Sequence, residues 1–403
     1  MYIIEIESFI KKYITKRDFS LFDDDIQRNQ VKLNDKIKGK SVLVIGGAGT
    51  IGSSFIKAIL NFKPGKLVVV DNNENGLTEL TRDLRSSLGQ YIPEDYITYP
   101  MDFGDPVFIK MFQAHKPFQI VANFAAHKHV RSEKDQFSIE AMIENNVIKA
   151  KHFLDLLLEN KPEHFFCVST DKAARPVNVM GATKKLMEEV IMAYSNELHV
   201  TTARFANVAF SNGSLLDGYI KRISKRQPIS CPSDVMRFFV SPQESGQICM
   251  LACLLGESGD IFFPKLSPEK MVNFKDITYS FFEDIGYKIN ECSSEEEARQ
   301  FPCSLTKSTP YPVFFPKSNT SGEKLYEEFY TDEDVLDLKS YKSLGVIKNA
   351  RRISMSDADL CLFKIKDVLS QRNYSKDDIV RVLKYYLNDF QHFETGKSLD
   401  TKM

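Results

Sequence analysis

The sequence predicts an α/β fold, a doubly wound parallel sheet joined to a smaller α+β lobe and flanked by helical terminal arms. The first observation is a series of β-branched or aromatic runs, at 41–47, 66–71, 97–102, 120–126, 164–170 and 200–208. The second is helical periodicity between these runs, at 53–61, 74–87, 106–114, 139–158 and 182–198. Strands that alternate with helices are typical of a parallel sheet with helices on both faces.

Composition limits the class of protein. A chain of 403 residues can bury one large α/β unit and a smaller second unit. Lys and Arg total 53 against 54 Asp and Glu, and this balance argues against a nucleic-acid binder with a broad basic surface. The seven cysteines include no C-x-x-C pair, which predicts reduced thiols in a cytoplasmic protein. The isolated histidines have no metal-ligand spacing, so no metal is expected.

The main domain is expected to span 39–210 and to be completed by 240–262, where ESGQICMLACLLG reads as one more helix. The lobe is expected at 211–239 and 263–340, because these segments are rich in turn-forming residues.

Helical arms are expected at 1–38 and 341–403. Charged residues such as Glu5 and Lys11 interrupt the apolar start of the N-terminal arm, which favours an amphipathic helix over a signal peptide. No stretch approaches 18 uncharged apolar residues, so no membrane span is expected.

A glycine-rich turn, GGAGTIG, follows the first strand and precedes the first helix of the alternation. Gly46 permits a tight turn, Gly49 allows the backbone to approach a pyrophosphate, and Gly52 allows the helix to pack closely on the strand. Thr50 and Ile51 lie at the start of the helix, whose N-terminus faces the phosphates. The pattern predicts a dinucleotide-binding Rossmann domain.

Acidic residues at the ends of the next two strands refine the cofactor prediction. Asp71 follows the glycines by about 20 residues, the distance expected for a carboxylate that binds the adenosine ribose. Asn72, Asn73 and Glu74 come next and offer no cation for a 2′-phosphate, so NAD is favoured over NADP. Asp102 either approaches the adenine or caps the following helix.

Three polar residues, Thr170, Asp171 and Lys172, follow the fifth strand. The carboxyl ends of strands are the ligand-binding edge of an open α/β sheet, so a hydroxyl, a carboxyl and an amine meet a substrate there. The alternative is a loop with a local ion pair.

The chain resembles the extended short-chain dehydrogenase/reductase (SDR) family over roughly residues 40–340. Within it, the chain is similar to the UDP-N-acetylglucosamine 4,6-dehydratases of polysaccharide-capsule, bacillosamine and legionaminic acid biosynthesis. The resemblance is strongest to configuration-retaining members with methionine, here Met180, at the position of the family's tyrosine. The segments that carry it are GGAGTIG, AAHKHVRSE, STDKA, MGATK, ARFANVAFSNGS, MRFFVSPQESG and GEKLYEE.

The resemblance implies a dehydration in three steps: NAD takes hydride from C4 of the sugar, water is lost from C5 and C6, and the hydride returns to C6. It assigns Lys172 as the C5 base and Asp171 as the acid, while Thr170 polarises the C4 carbonyl. It also implies that Lys184 holds the nicotinamide ribose. A lysine acts as a base at neutral pH only when burial or a neighbouring cation favours its neutral form, and Lys184 and Lys128 are candidate neighbours.

Met180 cannot accept the C4 hydroxyl proton. That role passes to Asp171, to Thr170 through a relay, or to water. The implied product is UDP-2-acetamido-2,6-dideoxy-α-D-xylo-hexos-4-ulose. A catalytically silent scaffold is the alternative, although Thr170, Asp171, Lys172 and Lys184 are all present.

Further ligand-binding residues follow from the matched segments. Ala125 is expected beside the cofactor. The basic run containing Lys128, His129 and Arg131 either holds a diphosphate or is a solvated loop. Asn146 either orders the active-site backbone or is an ordinary helix residue. The remaining residues expected to bind the nucleotide sugar are Asn207, Ser211, Ser214, Arg237 and Glu323.

Several alternatives remain open from the sequence. Many relatives have a basic residue where this chain has Asn212, so the base contact is undefined and GDP-N-acetylglucosamine competes with the UDP sugar. A C4 epimerase or a net dehydrogenase shares the fold, but neither needs a base at C5. Extended members commonly pair through a helical face, so a homo-oligomer is expected.

Overall fold

A computed structural model describes residues 5–303, 309–318 and 328–392 of the chain. Its strands, in chain order, are β1 Ser41–Ile45, β2 Lys66–Asp71, β3 Asp95–Pro100, β4 Ile120–Asn123, β5 His164–Val168, β6 Val200–Ala203, β7 Asn207–Val208, β8 Ile229–Ser230, β9 Met236–Arg237, β10 Phe239–Val240, β11 Ile261–Pro264, β12 Val272–Asn273, β13 Ile289–Cys292, β14 Tyr311–Phe314, β15 Leu336–Asp337 and β16 Leu344–Ile347.

The α-helices are α1 Ile6–Phe9, α2 Asp23–Arg28, α3 Gln30–Ile37, α4 Thr50–Leu60, α5 Glu74–Ser86, α6 Pro106–His115, α7 Gln136–Ile143, α8 Lys149–Glu159, α9 Val179–Ala193, α10 Leu215–Ser224, α11 Pro242–Leu255, α12 Phe274–Asp284, α13 Glu295–Gln300, α14 Met355–Leu369 and α15 Lys376–Tyr386. None of the helices in the described ranges is long and apolar enough to cross a membrane.

The main sheet has nine strands in the order β15-β16-β11-β6-β5-β4-β1-β2-β3. The strands from β3 to β11 pair in parallel, and the order β3-β2-β1-β4-β5-β6 is that of a doubly wound nucleotide-binding sheet. The predicted fold class is therefore confirmed. Strands β2 and β3 lie on one side of β1, and β4, β5 and β6 lie on the other. Sheets of this kind bind ligands at the switch point between β1 and β4, where the strand order changes direction.

The strands are continuous apolar runs because helices cover both faces of the sheet. In β1, Val42, Leu43 and Val44 are fully buried. Helix α11 crosses α4 so closely that a Cβ on Gly246 would lie 2.2 Å from the carbonyl carbon of Ser54. This contact fixes the helix that begins at the glycine-rich turn.

The smaller lobe has its own apolar core around the parallel strands β13, β14 and β8. Phe281 and Tyr311 are fully buried in this core. The N-terminal arm contributes to it through Phe9 and Ile10, whereas α2 and α3 pack on the core of the main domain. The arm therefore links the two cores.

The C-terminal segment differs from the predicted helical extension of 341–403. Strand β16 pairs antiparallel with β11, and β15 pairs with β16. All four residues of β16 are buried, because they continue the core beyond the last parallel strand. A four-residue apolar run does not distinguish strand from helix by periodicity. Helices α14 and α15 follow it, and α14 packs against α9.

Two predicted elements also have different bounds. The run 200–208 is not one strand: β6 ends at Ala203, and β7 pairs with β10 instead of extending the main sheet. The helix predicted at 139–158 begins at Gln136 and contains a π-helical turn at Glu144–Ile148. A turn of this kind keeps the apolar spacing nearly helical, so periodicity does not reveal it.

Candidate active site

The glycine-rich turn has the geometry of a phosphate cradle. Gly46 has φ of +74°, and a Cβ on it would lie 2.6 Å from the Ala125 nitrogen. A Cβ on Gly52 would lie 2.3 Å from the Gly46 carbonyl oxygen. Gly49 precedes α4 and has no side chain to cap it, so the amide groups at Thr50 and Ile51, in the first turn of the helix, can bind an anion.

Asp71 holds the tip of β2 to this turn. One carboxylate oxygen accepts a hydrogen bond from the Ala48 nitrogen at 2.9 Å, and the other accepts from the Asn73 nitrogen at 2.9 Å. The carboxylate therefore lies against the turn where a ribose bound to the cradle would meet it.

Asp102 does not cap α6, because Asp105 occupies the N-cap position of that helix. Its carboxylate instead accepts from Lys149 Nζ and from the Gly104 nitrogen, each at 2.7 Å. Burial opposes ionisation, but these hydrogen bonds outweigh it and lower the pKa of Asp102. The capping alternative is therefore wrong, and the side chain anchors the end of β3 to α8.

Two polar side chains converge on one carboxylate oxygen of Asp171 at the carboxyl end of β5. Asp171 Oδ1 accepts from the Thr170 hydroxyl at 2.8 Å and from Lys172 Nζ at 3.1 Å. Asp171 is only 3% exposed. Thr170 also begins the short 3₁₀ turn Asp171–Ala173. A hydroxyl and an amine are thus each within proton-transfer distance of one carboxylate.

Helix α9 lies directly against this triplet. A Cβ on Gly181 would lie 2.8 Å from the Lys172 carbonyl oxygen. Met180 is 2% exposed, and its nitrogen donates to Glu133 at 2.8 Å. Lys184 Nζ donates to the Val168 carbonyl oxygen at 2.6 Å, and burial lowers the pKa of Lys184. The predicted catalytic residues therefore meet around one strand end.

The basic loop after β4 is tied to the same helix through Asn146. Asn146 Oδ1 accepts from the His127 nitrogen at 2.8 Å, while Nδ2 donates to the His127 oxygen at 3.0 Å and to Thr183 Oγ1 at 3.2 Å. Burial and then the charges of Lys128 and Arg131 lower the pKa of His129. Positive charge is thus concentrated beside the strand ends, where an anion would relieve the repulsion.

A second loop joins the basic loop to the glycine-rich turn. Lys128 Nζ donates to the Asn212 oxygen at 3.0 Å, and the Asn212 nitrogen donates to Thr50 Oγ1 at 2.9 Å. A Cβ on Gly213 would lie 3.2 Å from the His129 ring. Three segments that are far apart in sequence therefore border one site.

The other predicted substrate residues lie along this loop and the lobe. Ser211 is buried, and Ser214 caps α10 by accepting from the Asp217 nitrogen at 3.3 Å. Asn207 is opposite Phe239 in the β7–β10 pair. Arg237, 7% exposed, precedes Phe239 by two residues. Glu323 lies outside the described residues.

Sequence reasoning missed a buried polar group beneath the triplet. Glu188 and Arg204 form an ion pair of 2.7 Å, with both side chains 2% exposed. The Ser169 hydroxyl donates to Glu188 at 2.5 Å. The available signal was the spacing of Lys184 and Glu188, which are one helical turn apart and therefore share a face.

The sheet order and the site define the chain as a protein with the extended short-chain dehydrogenase/reductase fold. Residues 42–349 match the family described as polysaccharide biosynthesis protein, and the chain belongs to this family. This assignment confirms the resemblance at the level of the family.

Proteins with similar sequences include both dehydratases and epimerases. The chain is 30% identical over 354 residues to an uncharacterised membrane protein of Methanocaldococcus jannaschii, covering 84% of this chain and 97% of that protein. An inverting UDP-N-acetylglucosamine 4,6-dehydratase of Campylobacter jejuni is 26% identical, with coverage of 67% and 79%. A UDP-glucose 4-epimerase of Rickettsia canadensis is 28% identical, with coverage of 56% and 66%.

Solved structures share the fold. Pen from Bacillus thuringiensis superposes with a TM-score of 0.63 at 21% identity, covering 81% of this chain and 98% of that one. The dTDP-glucose 4,6-dehydratase DesIV from Streptomyces venezuelae, solved with NAD bound, has a TM-score of 0.54 at 16% identity, with coverage of 86% and 97%.

Proposed function

We propose that the protein is an NAD-dependent nucleotide-sugar 4,6-dehydratase, a hydro-lyase that converts UDP-N-acetylglucosamine to the 4-keto-6-deoxy sugar. The observation that carries this proposal is the convergence of Thr170 and Lys172 on one oxygen of Asp171. This group lies two strands along the sheet from the glycine-rich turn. An elimination needs an acid and a base close together beside an oxidised carbon, and the triplet supplies both.

The glycine-rich turn fits NAD. The cradle at Gly46 and Gly52 has no room for a Cβ, and its backbone would hold the pyrophosphate. Asp71 would bind the adenosine ribose, and Lys184 the nicotinamide ribose. When bound, NAD supplies the acceptor for the C4 hydride and its donor to C6. The NAD bound to DesIV, which has the same fold, supports this cofactor.

The triplet then handles the protons of the reaction. Thr170 passes the C4 hydroxyl proton to Asp171 through their 2.8 Å hydrogen bond, because Met180 has no group that accepts one. Lys172, which acts as a base only in its neutral form, takes the proton from C5, and Asp171 protonates the C6 hydroxyl so that it leaves as water. Lys172 afterwards returns a proton to C5. The net change is the loss of one water molecule.

The basic loop supports an anionic substrate. Lys128, His129 and Arg131 would surround the diphosphate, with Arg237 from the lobe as a planar donor suited to phosphate oxygens. Asn207, Ser211 and Ser214 would line the nucleotide. We assign retention at C5 because Met180 replaces tyrosine, although the similar dehydratase from C. jejuni is an inverting enzyme.

A C4 epimerase is the second candidate, favoured by the similarity to a UDP-glucose 4-epimerase. Epimerisation at C4 requires oxidation and reduction at one carbon and no base for C5. Lys172, held 3.1 Å from Asp171, therefore favours dehydration.

The test is incubation of the purified chain with UDP-N-acetylglucosamine without added NAD, followed by NMR of the products. A 4-keto-6-deoxy product is expected, and its coupling constants report the configuration at C5. A parallel reaction with GDP-N-acetylglucosamine distinguishes the nucleotide. A C4 epimer, a requirement for added NAD, or no turnover would each contradict the proposal.

A further inference from the structure

The end of β5, just before the triplet, is held by two residues of one helix face. Lys184 Nζ donates to the Val168 oxygen at 2.6 Å, and Glu188 accepts from the Ser169 hydroxyl at 2.5 Å. Lys184 and Glu188 are one turn apart on α9. The residues that they bind, Val168 and Ser169, are consecutive, with Val168 the last residue of β5. Helix α9 therefore holds two consecutive residues next to Thr170.

Arg204 holds Glu188 from the opposite side. Its Nε and Nη2 atoms donate to the two carboxylate oxygens at 2.9 Å and 2.7 Å. Its Nη1 donates to the Phe329 oxygen at 3.0 Å, and its backbone nitrogen to the Phe262 oxygen at 2.8 Å. The guanidinium therefore joins Glu188 to the segment at 329, while the backbone of the same residue is bonded to β11.

The charge state of Glu188 follows from this arrangement. Burial favours the neutral carboxyl, but the charge and hydrogen bonds of Arg204 outweigh it and lower the pKa of Glu188. The Ser169 hydroxyl is therefore a donor to an ionised acceptor, the stronger class of hydrogen bond. Arg204 alone already balances the carboxylate charge, so the bond from Ser169 mainly connects the pair to the strand end.

We propose that Ser169 and Glu188 are positioning residues for Thr170, Asp171 and Lys172. Ser169 is covalently joined to Thr170 and is also held by the Ala203 oxygen through its backbone nitrogen at 3.0 Å. The buried pair thus fixes the place from which the triplet projects. This proposal rests on the dehydratase function, because it assigns the pair a role in the rate of that reaction.

The informative variant is Ser169→Ala, which leaves the Glu188–Arg204 pair intact. Glu188→Gln would leave Arg204 buried without its counter-ion, so a failure to fold would mask any effect on rate. The matched control is Thr202→Val. Thr202 on β6 also has a buried hydroxyl, which donates to the Cys167 oxygen on β5 at 2.6 Å, and within the described part of the chain it has no hydrogen bond to Glu188.

Two measurements separate positioning from stability. The first is steady-state turnover of UDP-N-acetylglucosamine, where Ser169→Ala is expected to lower kcat about tenfold or more with KM and bound NAD unchanged, because small displacements of catalytic groups slow reactions. The second is amide hydrogen exchange of the peptide spanning 168–173, which is expected to become faster. Thr202→Val is expected to keep kcat within about twofold even if its thermal unfolding midpoint falls similarly.

Each outcome decides a separate question. Equal kcat in Ser169→Ala and the wild type, or an equal loss in Thr202→Val, would overturn the positioning role. A wild-type protein without turnover would refute the dehydratase function instead. In that case the exchange measurement still tests whether Ser169 fixes the triplet, and unchanged exchange would reject that as well.

Discussion

The two ends of β5 have opposite electrostatic surroundings. At the carboxyl end, buried carboxylates face partners of opposite sign, with Glu188 and Arg204 2.7 Å apart and Asp171 and Lys172 3.1 Å apart. At the amino end, basic groups gather around His164. Lys36 Nζ lies 3.2 Å from His164 Nε2, and the rings of His164 and His199 are 4.8 Å apart.

The two ends of β5 therefore favour different charge states of their buried side chains. Paired charges can stay ionised when buried, and a change of protonation in one partner then changes the balance of the pair. At the other end, burial and then the charge of Lys36 lower the pKa of His164 to about 3, so the ring stays neutral. The carboxyl end of β5 therefore has paired charges, whereas the amino end has a neutral histidine. A substitution can change either end without changing the other.

The largest effect is expected at the carboxyl end, from Lys172→Ala. Loss of the C5 base should reduce turnover about a thousandfold, while the cofactor stays bound because its cradle is on β1 and α4. Turnover is measured by formation of the 4-keto product, and bound NAD by its absorbance after release. Lys161→Ala is the matched control, since that side chain is half-exposed and forms a surface ion pair with Glu197. Full turnover in Lys172→Ala would contradict the assignment.

A smaller effect is expected at the amino end, as a dependence of stability on pH. In the unfolded chain a histidine titrates near its ordinary pKa of 6.5, whereas His164 in the folded protein does so at about 3. Below pH 6.5 the unfolded chain therefore binds a proton that the folded chain does not, and stability falls as the pH is lowered. At pH 5.5 the loss is about 1 kcal/mol.

His164→Gln isolates this contribution, because glutamine does not titrate. Urea unfolding at pH 7.5 and 5.5 is expected to show a smaller loss of free energy of unfolding in the variant than in the wild type. Equal losses in the two proteins would show that His164 does not titrate as the structure indicates.

The contrast also separates what the sequence could predict from what it could not. The strand runs, the glycine-rich turn and the order Thr170, Asp171, Lys172 are local patterns, so periodicity and motif spacing were enough. Glu188 and Arg204 are 16 residues apart and meet only because α9 and β6 are neighbours in the fold. Each alone reads as an ordinary charged residue.

The same limit explains the errors in secondary structure. Strand β16 is apolar because it lies beside β11, and this neighbour is about 80 residues earlier in the chain. The Asp102 carboxylate binds Lys149, 47 residues later in the chain, while Asp105 takes the N-cap position of α6. In both cases a residue from a distant part of the chain decides the structure, and no local pattern reports it.

The smallest effect on activity is expected from changes at Met180, and it tests whether the triplet alone moves protons. The polar contacts of Met180 come from its backbone, with the nitrogen donating to Glu133 and the oxygen accepting from Thr183, each at 2.8 Å. Met180→Leu keeps these contacts and nearly the same volume, so kcat is expected to stay within about threefold. Met180→Ala leaves a cavity but should also retain appreciable activity, measured in the same turnover assay. A loss in Met180→Ala as severe as that of Lys172→Ala would mean that Met180 shapes the site, and an equally severe loss in Met180→Leu would mean that the reaction depends on the thioether itself.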